Sequence, residues 1–378
     1  MALRKTWDIF CTVVDNYGDI GVCWRLARQL ANEQSRAVRL WVDDLASLKR
    51  IAPGIDVLRD VQIQRGVEVR RWTTLPPDAD PAQVVIEAFA CHLPAAYVEK
   101  MAAQRSKPAW INLEYLSAEK WVEQNHALPS PHARLPLTKI FFFPGFGEHT
   151  GGLLREADLL ARRAAFQRDL AAQNTFWRAL DLPVRSQGES RISLFGYANA
   201  ALPGLLEAWS SATQRITCVT PEGPLVEEVQ RFFGVSDAQQ FSRGNLTLHV
   251  LPFVEQDSYD KLLWACDVNF VRGEDSFVRA QWAARPFIWH IYAQKDDAHQ
   301  AKLEAFLTIY TDGLDPDSAA CVRLLWRAWN SGGAVGAAWC AFEQDAAVIQ
   351  AHAAQWAATL GTRPGLANNL ANFCDKLL

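Results

Sequence analysis

The stretch Val268-Asn269-Phe270-Val271-Arg272-Gly273-Glu274-Asp275-Ser276-Phe277-Val278-Arg279 constrains what this chain can fold into more than any other. Val268 to Val271 is a short apolar run of the kind buried in a parallel sheet. Arg272-Gly273-Glu274-Asp275 interrupts it with three charges and a flexible glycine. From Ser276, the positions Phe277, Ala280, Gln281, Ala283 and Ala284 read as an amphipathic helix, with Asp275 or Ser276 suited to the N-cap. A strand–loop–helix turn of this kind puts its loop at the carboxyl end of a parallel sheet, where open α/β folds bind ligands. The helix start offers free N–H groups and a partial positive charge suited to a phosphate, and Arg272 can add a bidentate contact. Equally, such a loop can be solvated and its charges idle.

A second turn of the same form stands near the N-terminus. Trp7 to Val14 is a strand rich in β-branched and aromatic residues, and it runs into Asp15-Asn16-Tyr17-Gly18-Asp19-Ile20-Gly21. A helix is expected from Val22 to about Asn32. Gly18 and Gly21 permit a tight, exposed backbone, but the spacing is not GxGxxG. Two aspartates would repel a phosphate; Asp15 and Asp19 suit a cation, a metal or a base. An Asx-turn with an N-cap is the plain structural alternative.

Between and beyond these turns, strand and helix alternate. Strands are expected at Arg36–Val42, Val67–Trp72, Val84–Phe89, Trp110–Leu116 and Ile140–Phe146, with a helix at Leu45–Ile51. Glu87 sits where a strand meets its loop, placed either to face a crevice or to neutralise an arginine. His149, in the glycine-rich loop after Pro144-Gly145, reads as a local hydrogen-bonder. Arg155 to Gln187 is charged, alanine-rich and helical, and the domain boundary falls within about 155–190. A second alternation follows: strands at Arg191–Tyr197, Arg215–Val219, Leu246–Phe253 and Pro286–Ile291, helices at Leu202–Ser210, Leu225–Phe233 and Tyr259–Ala265. This divides the chain into domains at 1–165 and 185–350, with a terminal helix at 363–378 packing back on the first. Two Rossmann-like α/β domains facing each other across a crevice is the layout of GT-B glycosyltransferases and of many dehydrogenases. The absence of GxGxxG speaks against the second.

Composition narrows the class. A chain of 378 residues, 49% hydrophobic and 21% charged, is a globular protein too long for one ordinary core. A net charge of −4 argues against nucleic acid as a partner. No apolar run approaches a membrane span, and Met1-Ala2-Leu3-Arg4-Lys5 lacks the apolar core of a signal peptide, so a cytoplasmic location is expected. The eight cysteines form no CxxC pair and most sit in apolar runs, as reduced core thiols do; the eight histidines form no ligand pattern. No bound metal is expected. Trp24, Trp41 and Trp177 lie at core spacing.

The loop Asp15-Asn16-Tyr17-Gly18-Asp19-Ile20-Gly21, the segment Phe143-Pro144-Gly145-Phe146 with Thr150-Gly151-Gly152-Leu153, and Arg272-Gly273-Glu274-Asp275-Ser276 together resemble the EarP family over essentially the whole chain. These are bacterial protein-arginine rhamnosyltransferases acting on translation elongation factor P, which they activate for ribosomes stalled at polyproline. The resemblance implies a GT-B fold, with the acceptor handled mainly by the N-terminal domain and dTDP-β-L-rhamnose by the C-terminal one. It implies inversion at the anomeric centre without a metal or other cofactor. Carried over, it makes Asp19 the general base, Asp15 a second essential carboxylate near the acceptor, and Glu274 essential on the donor side. Arg272, Asp275 and Ser276 fall in the nucleotide-sugar site; Tyr197, Phe253 and Gln256 look like donor-pocket residues, Phe253 near the thymine. A GT-B enzyme with a different acceptor is the alternative.

The chemistry suits those residue types. An arginine side chain has a pKa of about 12.5–13.8, so full deprotonation at pH 7 costs on the order of 8–9 kcal/mol. A carboxylate pair can instead grip the guanidinium, orient one nitrogen and remove a proton as the bond forms.

Overall fold

Parallel strands cannot be joined by hairpins, so each neighbouring pair requires a crossover, and the strand–helix alternation supplies it. A computed structural model describes residues 4–14, 17–73, 79–236, 238–293 and 297–378. The chain divides into two units, Met1–Ala157 with Thr362–Leu378, and Asp158–Gly361.

The first unit runs β1 Thr6–Cys11, α1 Gly18–Asn32, β2 Ala37–Val42, α2 Leu45–Ile51, β3 Val61–Gln64, β4 Val67–Arg71, β5 Val84–Ala88, α3 Ala95–Ala103, β6 Ala109–Leu113, α4 Trp121–Asn125, β7 Pro129–Pro131 and β8 Thr138–Phe142. Its eight-stranded sheet has the order β3-β4-β2-β1-β5-β6-β8-β7. All pairings are parallel except those of the edge strands β3 and β7. The second unit runs α5 Leu159–Arg168, α6 Leu170–Ala179, β9 Glu189–Leu194, α7 Leu202–Ser210, β10 Arg215–Pro221, α8 Pro224–Phe233, β11 Gln240–Arg243, β12 Leu246–Leu251, α9 Gln256–Ala265, β13 Val268–Arg272, α10 Asp275–Ala283, β14 Phe287–His290, α11 Ala298–Tyr310, α12 Pro316–Ser331, α13 Val335–Gln344 and α14 Ala346–Gly361. Its sheet has the order β11-β12-β10-β9-β13-β14, parallel but for β11. The last helix, α15 Leu366–Asp375, belongs to the first unit.

Strand order reverses once in each sheet. From β1 the chain passes to β2 on one side, and later to β5 on the other; β9 stands in the same relation to β10 and β13. The loops leaving β1, β9 and β13 therefore emerge at switch points, where α/β sheets hold their ligands.

The core of the first unit is organised around a buried charge. Asp8 on β1 is fully buried and stands in register beside Arg39 on β2. Its two carboxylate oxygens accept from Arg39 Nε and Nη2, both at 2.6 Å, from Trp41 Nε1 at 2.9 Å, and from the Ala82 N–H at 3.0 Å. The Tyr97 hydroxyl donates to it as well. Every lone pair of a desolvated carboxylate is thereby answered, as burial of such a group demands. Phe10 stacks on Trp41 beside it with ring centroids 5.4 Å apart.

The terminal helix ties the first unit together. Asp375 bridges Lys5 at 2.9 Å and Arg36 at 2.7 Å, and Phe373 lies against Phe142. Asn369 Nδ2 donates to the Gly151 carbonyl at 3.0 Å, and the Leu366 N–H to the Leu153 carbonyl at 2.8 Å. Gly152 has a φ of +77°, and a Cβ there would lie 2.8 Å from the Pro364 carbonyl, so only glycine fits this part of the loop.

Some sequence expectations move. Helix α1 begins at Gly18, four residues before Val22, and β1 ends at Cys11, not Val14. Asp19 folds back onto the backbone of Val14 and lets the first helical turn start within the glycine loop. The alanine-rich stretch forms two helices and no third before β9. Trp24, Trp41 and Trp177 are buried. Cys11, Cys23, Cys91, Cys218, Cys266 and Cys374 are also buried, whereas Cys321 is half-buried and Cys340 exposed. Among the described residues, no helix is long and apolar enough to cross a membrane.

Replacing Asp8 strands three buried donors, of Trp41, Ala82 and Tyr97, and takes the carboxylate from the half-buried Arg39, which keeps the Asp80 carbonyl at 2.7 Å. Asp8→Ala is expected to lower unfolding free energy by about 3 kcal/mol in chemical denaturation; a loss under about 1 kcal/mol would show the network to be dispensable.

Candidate functional site

In the first unit, the site residues expected from sequence follow the exit of β1. Asp15 and Asn16 lie outside the described residues. Asp19 is the second residue of α1 and 3% exposed, and its Oδ2 accepts the Val14 N–H at 2.9 Å. The preceding N–H, of Val13, is taken by Asp43 at 3.0 Å. Two carboxylates thus hold the strand exit while Gly18 opens the helix. Gly21 is buried and donates to the Tyr17 carbonyl at 2.9 Å, a helical bond that spends its backbone N–H. A carboxylate at a helix start is favoured by the dipole.

Two neighbouring strand exits carry features the sequence did not single out. Phe89 and Ala90, after β5, both have left-handed backbones, with φ of 56° and 55°. Each stores roughly 1–2 kcal/mol of strain. Phe89 stacks on Tyr115 with centroids 4.6 Å apart, and Glu114 accepts from Asn112 at the end of β6. Glu114 and Tyr115 follow an apolar strand as Asp15 does, which was the available signal. Glu87 takes no part: it is buried, paired with Lys139 rather than with an arginine, and accepts the Leu93 N–H at 3.3 Å. His149 is exposed.

In the second unit, six residues from three loops come together. Arg272 ends β13 and is 7% exposed. Its guanidinium carbon lies 4.4 Å from the Phe195 ring centre and 4.7 Å from that of Tyr197, and Nη1 donates to the Gly196 carbonyl at 3.2 Å. Phe253 packs on Phe195 with centroids 6.3 Å apart. Gln256, 4% exposed at the start of α9, donates through Nε2 to Asp275 Oδ2 at 3.2 Å. Gly273 turns with a φ of +60°, and its carbonyl accepts from Trp289 Nε1 at 2.7 Å.

The start of α10 differs from expectation. Glu274, not Asp275 or Ser276, occupies the N-cap position, and its side chain makes no capping bond. The Ser276 oxygen accepts the Arg272 N–H at 3.0 Å, and its hydroxyl donates to the Arg272 carbonyl. Both backbone groups of Arg272 are thereby fixed, so Ser276 aims the arginine while its own hydroxyl hydrogen is occupied. The start of α10 stands next to the guanidinium in the chain, and a helix N-terminus beside an arginine is a pairing chemically suited to an anion with several oxygens. Among the described residues, no group of three or more His, Cys, Asp or Glu side chains is placed to hold a metal ion.

His290 is the residue of this cluster that sequence reasoning missed, because it ends an apolar strand with no motif around it. Its Nδ1 accepts the Tyr197 N–H at 3.3 Å, and its ring packs on Tyr197 and Trp329. Burial, with the Arg272 charge beside it, lowers its pKa to about 4. Burial likewise raises the Tyr259 phenol, whose ring lies 5.8 Å from Phe195.

Against this geometry stand the similarities to known proteins. The family model described as Elongation-Factor P (EF-P) rhamnosyltransferase EarP matches residues 7–375. A protein-arginine rhamnosyltransferase of Pseudomonas putida is 51% identical over 98% of this chain and 99% of its own. The corresponding protein of Shewanella oneidensis is 44% identical over 98% of each chain. A solved structure, reported as the structural basis for EarP-mediated arginine glycosylation of translation elongation factor EF-P, is 40% identical with a TM-score of 0.72, covering 99% of this chain and 100% of its own. TcCGT1 in complex with UDP is 10% identical with a TM-score of 0.50 over 99% and 100% of the two chains, a likeness of fold alone. The two parallel-dominated α/β units are those of the GT-B class, as the sequence led one to expect.

The lowered His290 pKa has a pH signature. The folded state takes up this proton only near pH 4, the unfolded chain near 6.5, so between these values the unfolded state holds more protons and stability falls as pH falls. Between pH 7 and pH 5 this amounts to about 2 kcal/mol. Urea unfolding at the two values should show a difference smaller by that amount in His290→Asn; His126 and His249, also lowered by burial, contribute equally to both proteins. Identical pH dependence in variant and wild type would refute the assignment.

Proposed function

The chain belongs to the family of EarP elongation factor P rhamnosyltransferases, and from that premise we propose that it moves L-rhamnose from dTDP-β-L-rhamnose to an arginine side chain of translation elongation factor P, inverting the anomeric centre. Protein-arginine rhamnosyltransferase is the activity of the chain; donor, acceptor protein and stereochemistry are the proposed part. The observation that carries the reading is the match of the family over nearly the full length, spanning both functional loops. Action on a translation factor puts the enzyme in the cytoplasm.

In this reading the first unit takes the acceptor. Asp19, with Asp15 as second carboxylate, binds the guanidinium through charge-assisted hydrogen bonds. That orients one nitrogen as nucleophile, and Asp19 accepts its proton as the new C–N bond forms. Removal of the proton in concert with bond formation avoids a free neutral guanidine. The second unit takes the donor. Arg272, held between Phe195 and Tyr197, and the N-terminus of α10 answer the charge that grows on the departing diphosphate, so the reading needs no metal. Phe253 offers a face to the thymine, Gln256 and Asp275 form a hydrogen-bonded pair for the polar edge of the donor, and Glu274 holds a sugar hydroxyl. Attack opposite the leaving group is the single displacement that inverts the centre.

Intact-mass spectrometry of elongation factor P incubated with the enzyme and dTDP-β-L-rhamnose should show one added deoxyhexose. The addition should vanish when the target arginine is changed to lysine. Loss of the base in Asp19→Asn should lower kcat by roughly 10²–10⁴-fold while leaving donor affinity in place. Donor binding with no mass shift would point to another acceptor for the same fold.

Glu274→Ala should weaken dTDP-rhamnose binding in calorimetry and leave dTDP binding as it was. Equal weakening of both ligands would remove the sugar contact and leave Glu274 as a partner of the nucleotide site.

A further inference from the structure

One peptide of the donor site is held at both of its polar ends. The Gly196–Tyr197 unit accepts from Arg272 Nη1 through its carbonyl, at 3.2 Å, and donates through its N–H to His290 Nδ1, at 3.3 Å. Arg272 and His290 are direct register partners at the ends of the paired strands β13 and β14. A cross-strand pair thus grips a single peptide of the loop that leaves β9. The two grips are chemically opposite, one a cationic donor and the other an acceptor, so the peptide fits in one orientation only.

The neighbourhood is shaped for this contact. A Cβ on Gly196 would lie 3.1 Å from Leu225 Cδ1, 3.2 Å from His290 Nδ1 and 3.5 Å from the Trp329 ring, so glycine leaves Leu225 and the imidazole room to approach. Glycine also lets the peptide rotate with little steric resistance, and the orientation must be imposed from outside. An apolar ring would pack equally well against Tyr197 and Trp329 but could not accept the N–H. Accepting at Nδ1 requires the tautomer with its proton on Nε2.

We infer that His290 is a positioning residue for the nucleotide-sugar site: by accepting the Tyr197 N–H it sets the plane of the Gly196–Tyr197 peptide, and with it the stacking of Tyr197 on the Arg272 guanidinium. The inference rests on the reading above in which Arg272 and Tyr197 hold the donor. Without the acceptor, the N–H loses its partner, the carbonyl swings from Arg272, and the guanidinium loses one of its two aromatic faces. Binding of the donor then suffers more than the chemical step.

Three variants and two readouts test it. Loss of one part-buried hydrogen bond, about 1.4 kcal/mol, means His290→Leu should raise KM for dTDP-β-L-rhamnose roughly tenfold. Its kcat should stay within about threefold, the pattern of lost binding and not of lost transition-state stabilisation. In His290→Asn, the amide oxygen takes the place of Nδ1 and should bring KM back to within about threefold of wild type. Gly196→Ala, which crowds the imidazole while leaving it in place, should raise KM as His290→Leu does, and serves if the latter does not fold. Hydrogen exchange at the Tyr197 amide, followed by NMR, should accelerate in His290→Leu and Gly196→Ala and stay slow in His290→Asn. Equal impairment of the Leu and Asn variants, a fall confined to kcat, or unchanged exchange would overturn the inference. Should the wild type turn over no dTDP-rhamnose, the donor reading falls, and amide exchange still decides whether His290 pins the peptide.

Discussion

A buried guanidinium needs its charge answered without being neutralised if it is to bind an anion, and Arg272 meets that demand with aromatic faces and a carbonyl. Cation–π contact spreads the charge over Phe195 and Tyr197 while leaving donors for a ligand. Pairing with a carboxylate would have consumed the same edge of the fork. The arrangement works only if the arginine cannot turn away. Ser276 fixes its backbone from the helix side, and the β13–β14 pairing fixes it from the sheet side.

The stiffness of that loop originates behind it. Asp260 on α9 and Arg279 on α10 form a buried bidentate pair at 2.9 and 2.6 Å. The helices that follow the Phe253 loop and the Arg272 loop are thereby locked to each other. At its far end α10 stops at Ala284, whose left-handed backbone has a φ of 53°. The carbonyls left open there are taken by Arg163 and Gln167 from α5 and by Gln350 from α14, onto Trp282, Ala283 and Ala284, each at 3.0 Å. Side chains from both ends of the second unit thus converge on one helix, so its N-terminus is held rigidly where the candidate site lies. In the first unit, α1 is anchored similarly: Gln29 donates to the Arg155 carbonyl at 2.6 Å, and Glu33 accepts the Ala157 N–H at 3.2 Å.

Much of this was legible in one dimension. Runs such as Val268–Val271 and Val84–Ala88 are buried at every position and apolar at all but one, because both faces of a parallel sheet are covered, and that pattern survives in sequence. Element ends were less legible. Helix α1 starts early because Asp19 bonds to Val14, and Ser276 leaves the N-cap because its hydroxyl turns to Arg272; both are choices among local partners that the residue type alone leaves open. Glu87 was open between a crevice and an ion pair, and Lys139, two strands away on β8, decides it.

What the sequence determined by itself is the alternation of strand and helix, the two polar strand exits, and the residue types able to carry a charged acceptor and a phosphate-bearing donor. These depend on periodicity and on chemistry carried within a few residues. The tertiary structure alone decided which of the separated loops share a site. Phe195, Phe253, Gln256, Arg272 and His290 meet because strand order reverses between β9 and β13 and because β14 pairs beside β13. His290 has no local signal, since its partner is the N–H of Tyr197, ninety-three positions earlier in the chain. Contacts of that range are set by sheet order, which no short stretch of sequence encodes.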